Sequence, residues 1–211
     1  MHPIAIYLVG ILCTIQLAAQ TCPFCNLEVI KGANLELLIS SQAIEQRIHE
    51  IAGELEKEYR GKELVLLSVM KGAVCVTSDL MRALTIPCTI EFIRASSYGK
   101  NGTQRGQLTI SGLDGLDLRE KHVLVIDDIL DSGYTMKGIV EHLQTKRPQS
   151  IKTLVLLSKN IPRDSNYTPD YALFDIPDRF VIGYGLDYKE YYRNLPAIYA
   201  FPGDIPHEIS Y

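Results

Sequence analysis

A chain of 211 residues and 23.7 kDa, 46% hydrophobic and 22% charged, has the apolar mass for one well-buried core and the composition of an ordinary globular domain. Its formal net charge of −4 and pI near 5.7 give no electrostatic case for nucleic acid, whose binders normally present a basic face. No repeat or low-complexity tract interrupts the sequence.

Residues 4–19 form an apolar run broken only by Thr14 and Gln16, too short for a membrane span. A signal peptide would carry a basic start, yet residues 1–3 hold no Lys or Arg, and LAAQ at 17–20 only loosely resembles a cleavage site. We therefore expect residues 1–35 to be an N-terminal extension, signal-like or non-native, with no membrane span and a cytoplasmic protein; export is the alternative. Cys22 and Cys25 form a CxxC that is redox-active or half of a zinc site, but no second CxxC or His pair completes it. A secreted thiol protein built on that pair is a competing reading. Cys13, Cys75 and Cys88 sit in apolar contexts and are expected to pack.

Beyond the extension, Ser40 precedes a helical pattern with Ile44, Ile48, Ile51, Leu55 and Tyr59 on one face, and Gly61 follows it. Ser40 as N-cap puts Ile39 and Ile44 at staple positions, and Gly61 suits the left-handed residue after the last turn. Residues 63–69 (ELVLLSV) read as a strand buried on both faces, followed by Lys71-Gly72 at its carboxyl end and a helix over 74–84. Residues 88–94 (CTIEFIR) predict the next strand. The stretch 95–106 (ASSYGKNGTQRG) has the composition of a mobile loop, a lid whose single aromatic is Tyr98, with residues 107–111 returning as a strand. Asn101 and Asn166 open glycosylation-like tripeptides; in an unexported protein these are chance matches.

The organising stretch is HVLVIDDILDSGYT at 122–135. Val123, Leu124, Val125 and Ile126 predict a central strand, with Asp127 and Asp128 where it leaves the sheet, on the edge where open α/β sheets bind ligands. Asp131, Ser132, Gly133, Tyr134 and Thr135 then lead into a helix carrying Ile139, Val140 and Leu143 and ending near Lys146, before Pro148. A glycine loop opening a helix suits a phosphate, whereas two adjacent carboxylates suit sugar hydroxyls or a divalent cation. A phosphorylated sugar satisfies both. Residues 151–157 (IKTLVLL) predict a further strand with Lys159 just beyond it, and Phe180 begins a short strand through Ile182. Asp187, Tyr188, Lys189, Glu190, Tyr191, Tyr192 and Arg193 follow, and Pro177, Pro196, Pro202 and Pro206 suggest a hood or subunit contact built from turns.

Five pieces in order, VMKG (69–72), SSYG (96–99), VLVIDDILDSGYT (123–135), LLSK (156–159) and PDRFVIGYGLDYKEYYRNLP (177–196), resemble the hypoxanthine-guanine phosphoribosyltransferases. The resemblance spans about residues 36–201. It implies an α/β fold, a twisted, mainly parallel sheet flanked by helices, as one domain over 36–211 with a small hood from about residue 171. It also implies transfer of phosphoribose from phosphoribosyl pyrophosphate to a 6-oxopurine base, with Mg²⁺ and no nucleic acid or membrane, in a homodimer or homotetramer.

By the same resemblance, Asp127 and Asp128 hold the ribose hydroxyls and, with Asp187, metal. Asp131, Ser132, Gly133, Tyr134 and Thr135 take the 5′-phosphate. Lys71 and Gly72, through a non-proline cis peptide, and Arg193 take pyrophosphate, while Ser97 and Tyr98 belong to the lid. Lys159 donates to the purine 6-oxo group, Phe180 stacks on the ring, the Ile182 carbonyl reads the base edge, and Asp131 is the catalytic acid or base at N7. Tyr134 and Arg179 depart from the commoner residues at positions that tolerate change. The alternative of another class is a non-catalytic nucleotide sensor on the same fold, for which a basic face or helix-turn-helix is not visible.

Overall fold

In the computed structural model, residues 35–98, 107–162 and 165–201 are described. The expected extension over residues 1–34, Cys22 and Cys25, Asn101 and most of the lid lie outside them. The elements run β1 (Glu36–Ile39), α1 (Ser41–Tyr59), β2 (Leu64–Val69), α2 (Val74–Ala83), β3 (Cys88–Tyr98), β4 (Gln107–Ser111), β5 (His122–Leu130), α3 (Tyr134–Gln144), β6 (Ser150–Lys159), β7 (Tyr171–Ile176), β8 (Val181–Ile182) and β9 (Ile198–Ala200).

Six strands form one sheet in the order β4-β3-β2-β5-β6-β7. All neighbours are parallel except β3 and β4, which pair antiparallel. The unbroken apolar runs have a simple cause: each face of the sheet is covered. Leu64, Leu66, Leu124, Ile126, Leu154 and Leu156 point into one core with Ile44, Ile48, Ile51 and Leu55 of α1 and Val76 and Leu80 of α2. Their alternates Val65, Leu67, Val123, Val125 and Val155 point into a second core with Met136, Ile139 and Leu143 of α3. A strand with two dry faces can afford no polar alternation.

The start of α1 behaves as its sequence predicts. Ser40 is the N-cap and its hydroxyl accepts from the Ala43 N–H at 3.2 Å, while Ile39 and Ile44 are both buried. Arg60 closes the helix and Gly61 follows with φ 73°.

Several expectations shift. Residues 95–98, expected in the loop, continue β3 and pair antiparallel with β4, which supplies the ladder hydrogen bonds they need. β5 runs on to Leu130, so Asp127 and Asp128 lie inside the strand rather than at its exit, with Asp127 opposite Val155 of β6. Lys159 is likewise the last residue of β6, and α3 stops at Gln144 with Thr145 as its C-cap. β7, placed in the expected hood, is the edge strand of the large sheet. The hood is instead a separate sheet, β1-β9-β8, that recruits the first described strand. Arg179 fastens it, pairing with Glu36 at 2.6 Å and donating to the Phe201 carbonyl at 2.8 Å.

Ser40→Ala removes the α1 cap while touching nothing in the cleft. Its expected cost is about 1 kcal/mol, seen as a Tm lower by about 2–4 °C in calorimetry with catalytic constants unchanged.

Candidate functional site

The large sheet changes direction at β2: the chain proceeds outward to β3 on one side, and β5 pairs on the other. At such a switch point the carboxyl ends of adjacent strands open a crevice. Here the turn after β2 meets the acids of β5. The Met70–Lys71 peptide is cis. A Cβ built on Gly72 would lie 1.5 Å from the Asp128 Oδ2, and one on Gly185 would lie 2.0 Å from the Gly72 carbonyl oxygen. Three segments far apart in sequence therefore close on one another at a thickness that only glycine permits.

Asp127 and Asp128 are half-buried and share local hydrogen bonds: Asp128 N–H donates to Asp127 Oδ1 at 3.0 Å, and Ile129 N–H to Asp128 Oδ1 at 2.8 Å. Burial, reinforced by the neighbouring carboxylate, pushes Asp127 well above the usual carboxylate range. Burial raises Asp128 as well, against the contact with Asp127, the Ile129 N–H and the Arg193 charge, which lower it. The pair calls for a partner that supplies positive charge or donors.

Downstream, Gly133 adopts φ 80° as the N-cap of α3, without a side-chain cap and with no acid in the first helical turn. The loop of Asp131, Ser132, Gly133, Tyr134 and Thr135 thus ends in the positive pole of a helix. It is braced from behind by Ser165, whose hydroxyl donates to the Ser132 carbonyl, and a Cβ on Gly133 would strike that hydroxyl at 2.6 Å. Ser165 lies in an unremarkable connector, so composition does not reveal this brace.

A cleft of about 250 Å³ opens beside the loop, lined by Asp128, Ile129, Asp131, Lys159, Arg179, Phe180, Val181, Leu186 and Asp187. Lys159, only 15% exposed, pairs with Asp178 at 2.8 Å and with Asp131 at 3.4 Å. Burial works to lower its pKa, but the two carboxylates outweigh it and hold the ammonium charged. Phe180 stands edge-on to Tyr188 at 5.9 Å and tilted against Phe201 at 5.6 Å, which fixes its ring as one wall.

On the hood side, Arg193 donates to the Gly185 carbonyl at 2.7 Å and pairs with Asp187 at 2.8 Å and Glu190 at 3.2 Å. Lys71 reaches across to the same Glu190 at 2.8 Å. Sequence reasoning gave no role to Glu190 or Asp178, whose roles depend on contacts between distant segments, whereas Gly185, between Tyr184 and Leu186, reads in the sequence as a point of bending or close approach.

Not every expected residue converges. The backbone of Ser97 and Tyr98 pairs with Leu108 and Gln107 at the end of the β3-β4 hairpin. The Ile182 side chain packs in the hood core, so the group expected to read a ligand there is its carbonyl, while the neighbouring Val181 lines the cleft. Asp187 is held by Arg193, and among the described residues no three His, Cys, Asp or Glu side chains form a metal-binding group. A hard divalent cation that completes its shell with water and ligand oxygens needs only one or two carboxylates, and the strained Asp127–Asp128 pair fits that requirement.

Acids and a helix-capped small-residue loop on the carboxyl edge of a parallel sheet define a protein that handles a phosphorylated sugar. Residues 36–189 match the phosphoribosyl transferase domain model, and the chain belongs to that family. It is 41% identical over 171 residues to the hypoxanthine-guanine phosphoribosyltransferase of Aquifex aeolicus, covering 81% of this chain and 96% of that one. The enzyme of that name from Mycobacterium avium is 35% identical over 189 residues, covering 87% and 93%. The crystal structure of a hypoxanthine phosphoribosyltransferase from Staphylococcus aureus superposes with a TM-score of 0.78 at 36% identity, covering 84% of this chain and 96% of that one.

Two outcomes follow from the crowding. Gly72→Ala displaces the Asp128 carboxylate, and titration calorimetry with a ribose 5-phosphate ligand should register at least a tenfold weaker Kd with an unchanged circular dichroism spectrum. Asp127→Asn removes a carboxylate that the fold disfavours. Because its folded pKa is raised, the wild type loses stability as pH rises from the unfolded carboxylate value. In a chelator, Tm of the variant should exceed wild type at neutral pH by a few degrees, and the gap should close below roughly pH 4, where the acid is neutral in both states. An equal gap at all pH values would refute the electrostatic cause.

Proposed function

We propose that this chain transfers the 5-phosphoribosyl group of phosphoribosyl pyrophosphate to hypoxanthine or guanine, forming IMP or GMP and releasing pyrophosphate. The observation that carries this reading is the gathering of Asp128, Asp131, Lys159, Phe180 and Asp187 around one cleft beside a helix-capped loop.

The ribose 2′ and 3′ hydroxyls donate to Asp127 and Asp128, giving the disfavoured carboxylates the donors they lack. The 5′-phosphate takes backbone N–H groups of the loop from Asp131 to Thr135, aided by the helix dipole. Lys71, Gly72 and Arg193 receive the pyrophosphate, with Ser97 and Tyr98 closing over it and excluding water. Mg²⁺ held by Asp127 and Asp128, with a second at Asp187, would supply positive charge for the leaving pyrophosphate.

As the bond from the anomeric carbon to the leaving oxygen breaks, positive charge builds on the sugar, and the acids beneath it lie where they stabilise that charge. Phe180 stacks on the purine, the Ile182 carbonyl accepts from its edge, and the charged Lys159 donates to the 6-oxo oxygen. A 6-amino purine would turn a donor toward a donor, so adenine is rejected. Asp131 accepts or returns the proton at N7.

Such charged substrates are retained inside cells, which favours the cytoplasm. A homodimer or homotetramer is consistent with exposed Val74 and Met81, two turns apart on α2.

Incubated with guanine, phosphoribosyl pyrophosphate and Mg²⁺, the purified protein should form GMP, followed by chromatography. Formation of no GMP, with tight binding of GMP retained, would instead support a nucleotide sensor. Asp131→Asn should lower kcat by about 10²–10⁴-fold, the usual worth of a general acid or base, with IMP affinity within a few-fold of wild type. An unchanged kcat removes the role given to Asp131.

A further inference from the structure

Glu190 belongs to no cleft wall and to no catalytic step above, yet it is the point on which the hood and the β2 turn are joined. Its Oε2 accepts from Lys71 Nζ at 2.8 Å and from Arg193 at 3.2 Å. One carboxylate oxygen therefore bridges both cations assigned to the leaving pyrophosphate. No other pair of described cations in the hood and β2 turn shares an oxygen in this way.

The placement is built into the backbone. Lys189, Glu190 and Tyr192 all take positive φ, at 50°, 71° and 74°, and the Glu190 N–H is held by Asp187 Oδ2 at 2.9 Å. Tyr188 and Tyr191 close the tight loop with paired backbone hydrogen bonds of 3.1 and 3.0 Å. Three non-glycine residues in the left-handed region are uncommon and persist only where surrounding contacts enforce them. The Glu190 side chain is nonetheless 63% exposed, so its ion pairs are screened and readily exchanged.

We propose that Glu190 is an internal stand-in for pyrophosphate, a positioning residue that keeps Lys71 and Arg193 in place before substrate arrives and competes with the pyrophosphate group for both. The proposal rests on the pyrophosphate role given to those two cations. Binding the polyanion breaks the Lys71–Glu190 and Arg193–Glu190 pairs and sets the freed carboxylate beside a like charge. Each effect weakens retention of pyrophosphate, so Glu190 trades affinity for faster product release. The residue thereby sets how strongly product pyrophosphate inhibits the enzyme.

The test is direct titration of wild type, Glu190→Gln and Glu190→Ala with Mg²⁺ and inorganic pyrophosphate, with IMP as the control ligand. Both variants should bind pyrophosphate about three- to tenfold more tightly, the range to which two exposed ion pairs correspond. IMP affinity should stay as in wild type, because its phosphate is held by the α3 loop. In steady state, the KM for phosphoribosyl pyrophosphate and the Ki for pyrophosphate should fall while the KM for the purine is unmoved. Unchanged or weaker pyrophosphate binding in both folded variants overturns the competition, as does a wild type that binds no pyrophosphate. The titration needs no turnover, so tighter pyrophosphate binding in a protein that makes no nucleotide would reject the transferase reading and leave this inference standing.

Discussion

Two half-buried carboxylates in succession, near the end of a strand whose earlier residues are buried on both faces, resist ionisation, and the site is arranged around their need. Asp127 and Asp128 have no lysine or arginine within ion-pair distance among the described residues. Desolvation resists the ionisation of both, and the neighbouring Asp128 charge adds to it at Asp127. A side chain that neutralised them would also occupy the space of a ligand. Under the proposed function that work falls to hydroxyl donors and cations that arrive from solution.

The same acids explain the glycines. Asp128 can stay in the crevice only because Gly72 has no Cβ, and Gly72 can pass beneath the hood only because Gly185 has none. The β2 turn, the β5 acids and the hood are thereby stacked in three thin layers. Each layer brings one chemical type: amides and a cation from the turn, carboxylates from β5, a guanidinium from the hood. Small residues determine how closely these types meet, and closeness is what makes their fields add.

The core was readable from the chain because burial on both faces leaves a continuous apolar run, as in 63–69 and 123–126, and because Ile44, Ile48, Ile51, Leu55 and Tyr59 repeat at helical spacing. β1, β7 and β9 were not foreseen. Glu36–Ile39 and Ile198–Ala200 are too short to show a period; β1 is a strand through its pairing with β9, 159 residues away by the register of Ile39 with Ile198, and β9 through its pairing with both β1 and β8. Residues 95–98 looked like loop because Ser and Tyr have no apolar alternation, yet the partner strand β4 supplies the ladder. Lys71, Asp127, Asp128 and Gly133 stood out in the sequence because each follows a continuous apolar strand or sits in the small-residue loop that opens a helix. Ser165, Asp178 and Glu190 did not, since each acts on a group 33, 19 or 119 residues distant.

Those silent residues follow a common logic. Every cation assigned to substrate in the proposed function is met by a carboxylate: Lys159 by Asp178 and Asp131 and Lys71 by Glu190, all from other segments, and Arg193 by Asp187 and Glu190 of its own loop. A bare cluster of cations would repel itself and scatter the side chains, and ordering them would then be charged against ligand binding. Internal acids remove that repulsion and hold the cations in reach, at the expense of having to be displaced. The exposure of each acid decides which effect wins. Asp178 and Glu190 are both 63% exposed, so their ion pairs are more heavily screened than that of Asp187, at 31%. Arg193 is thus held between two acids of unequal exposure, and the exchange proposed above would release the more exposed one while the other contact still orients the guanidinium.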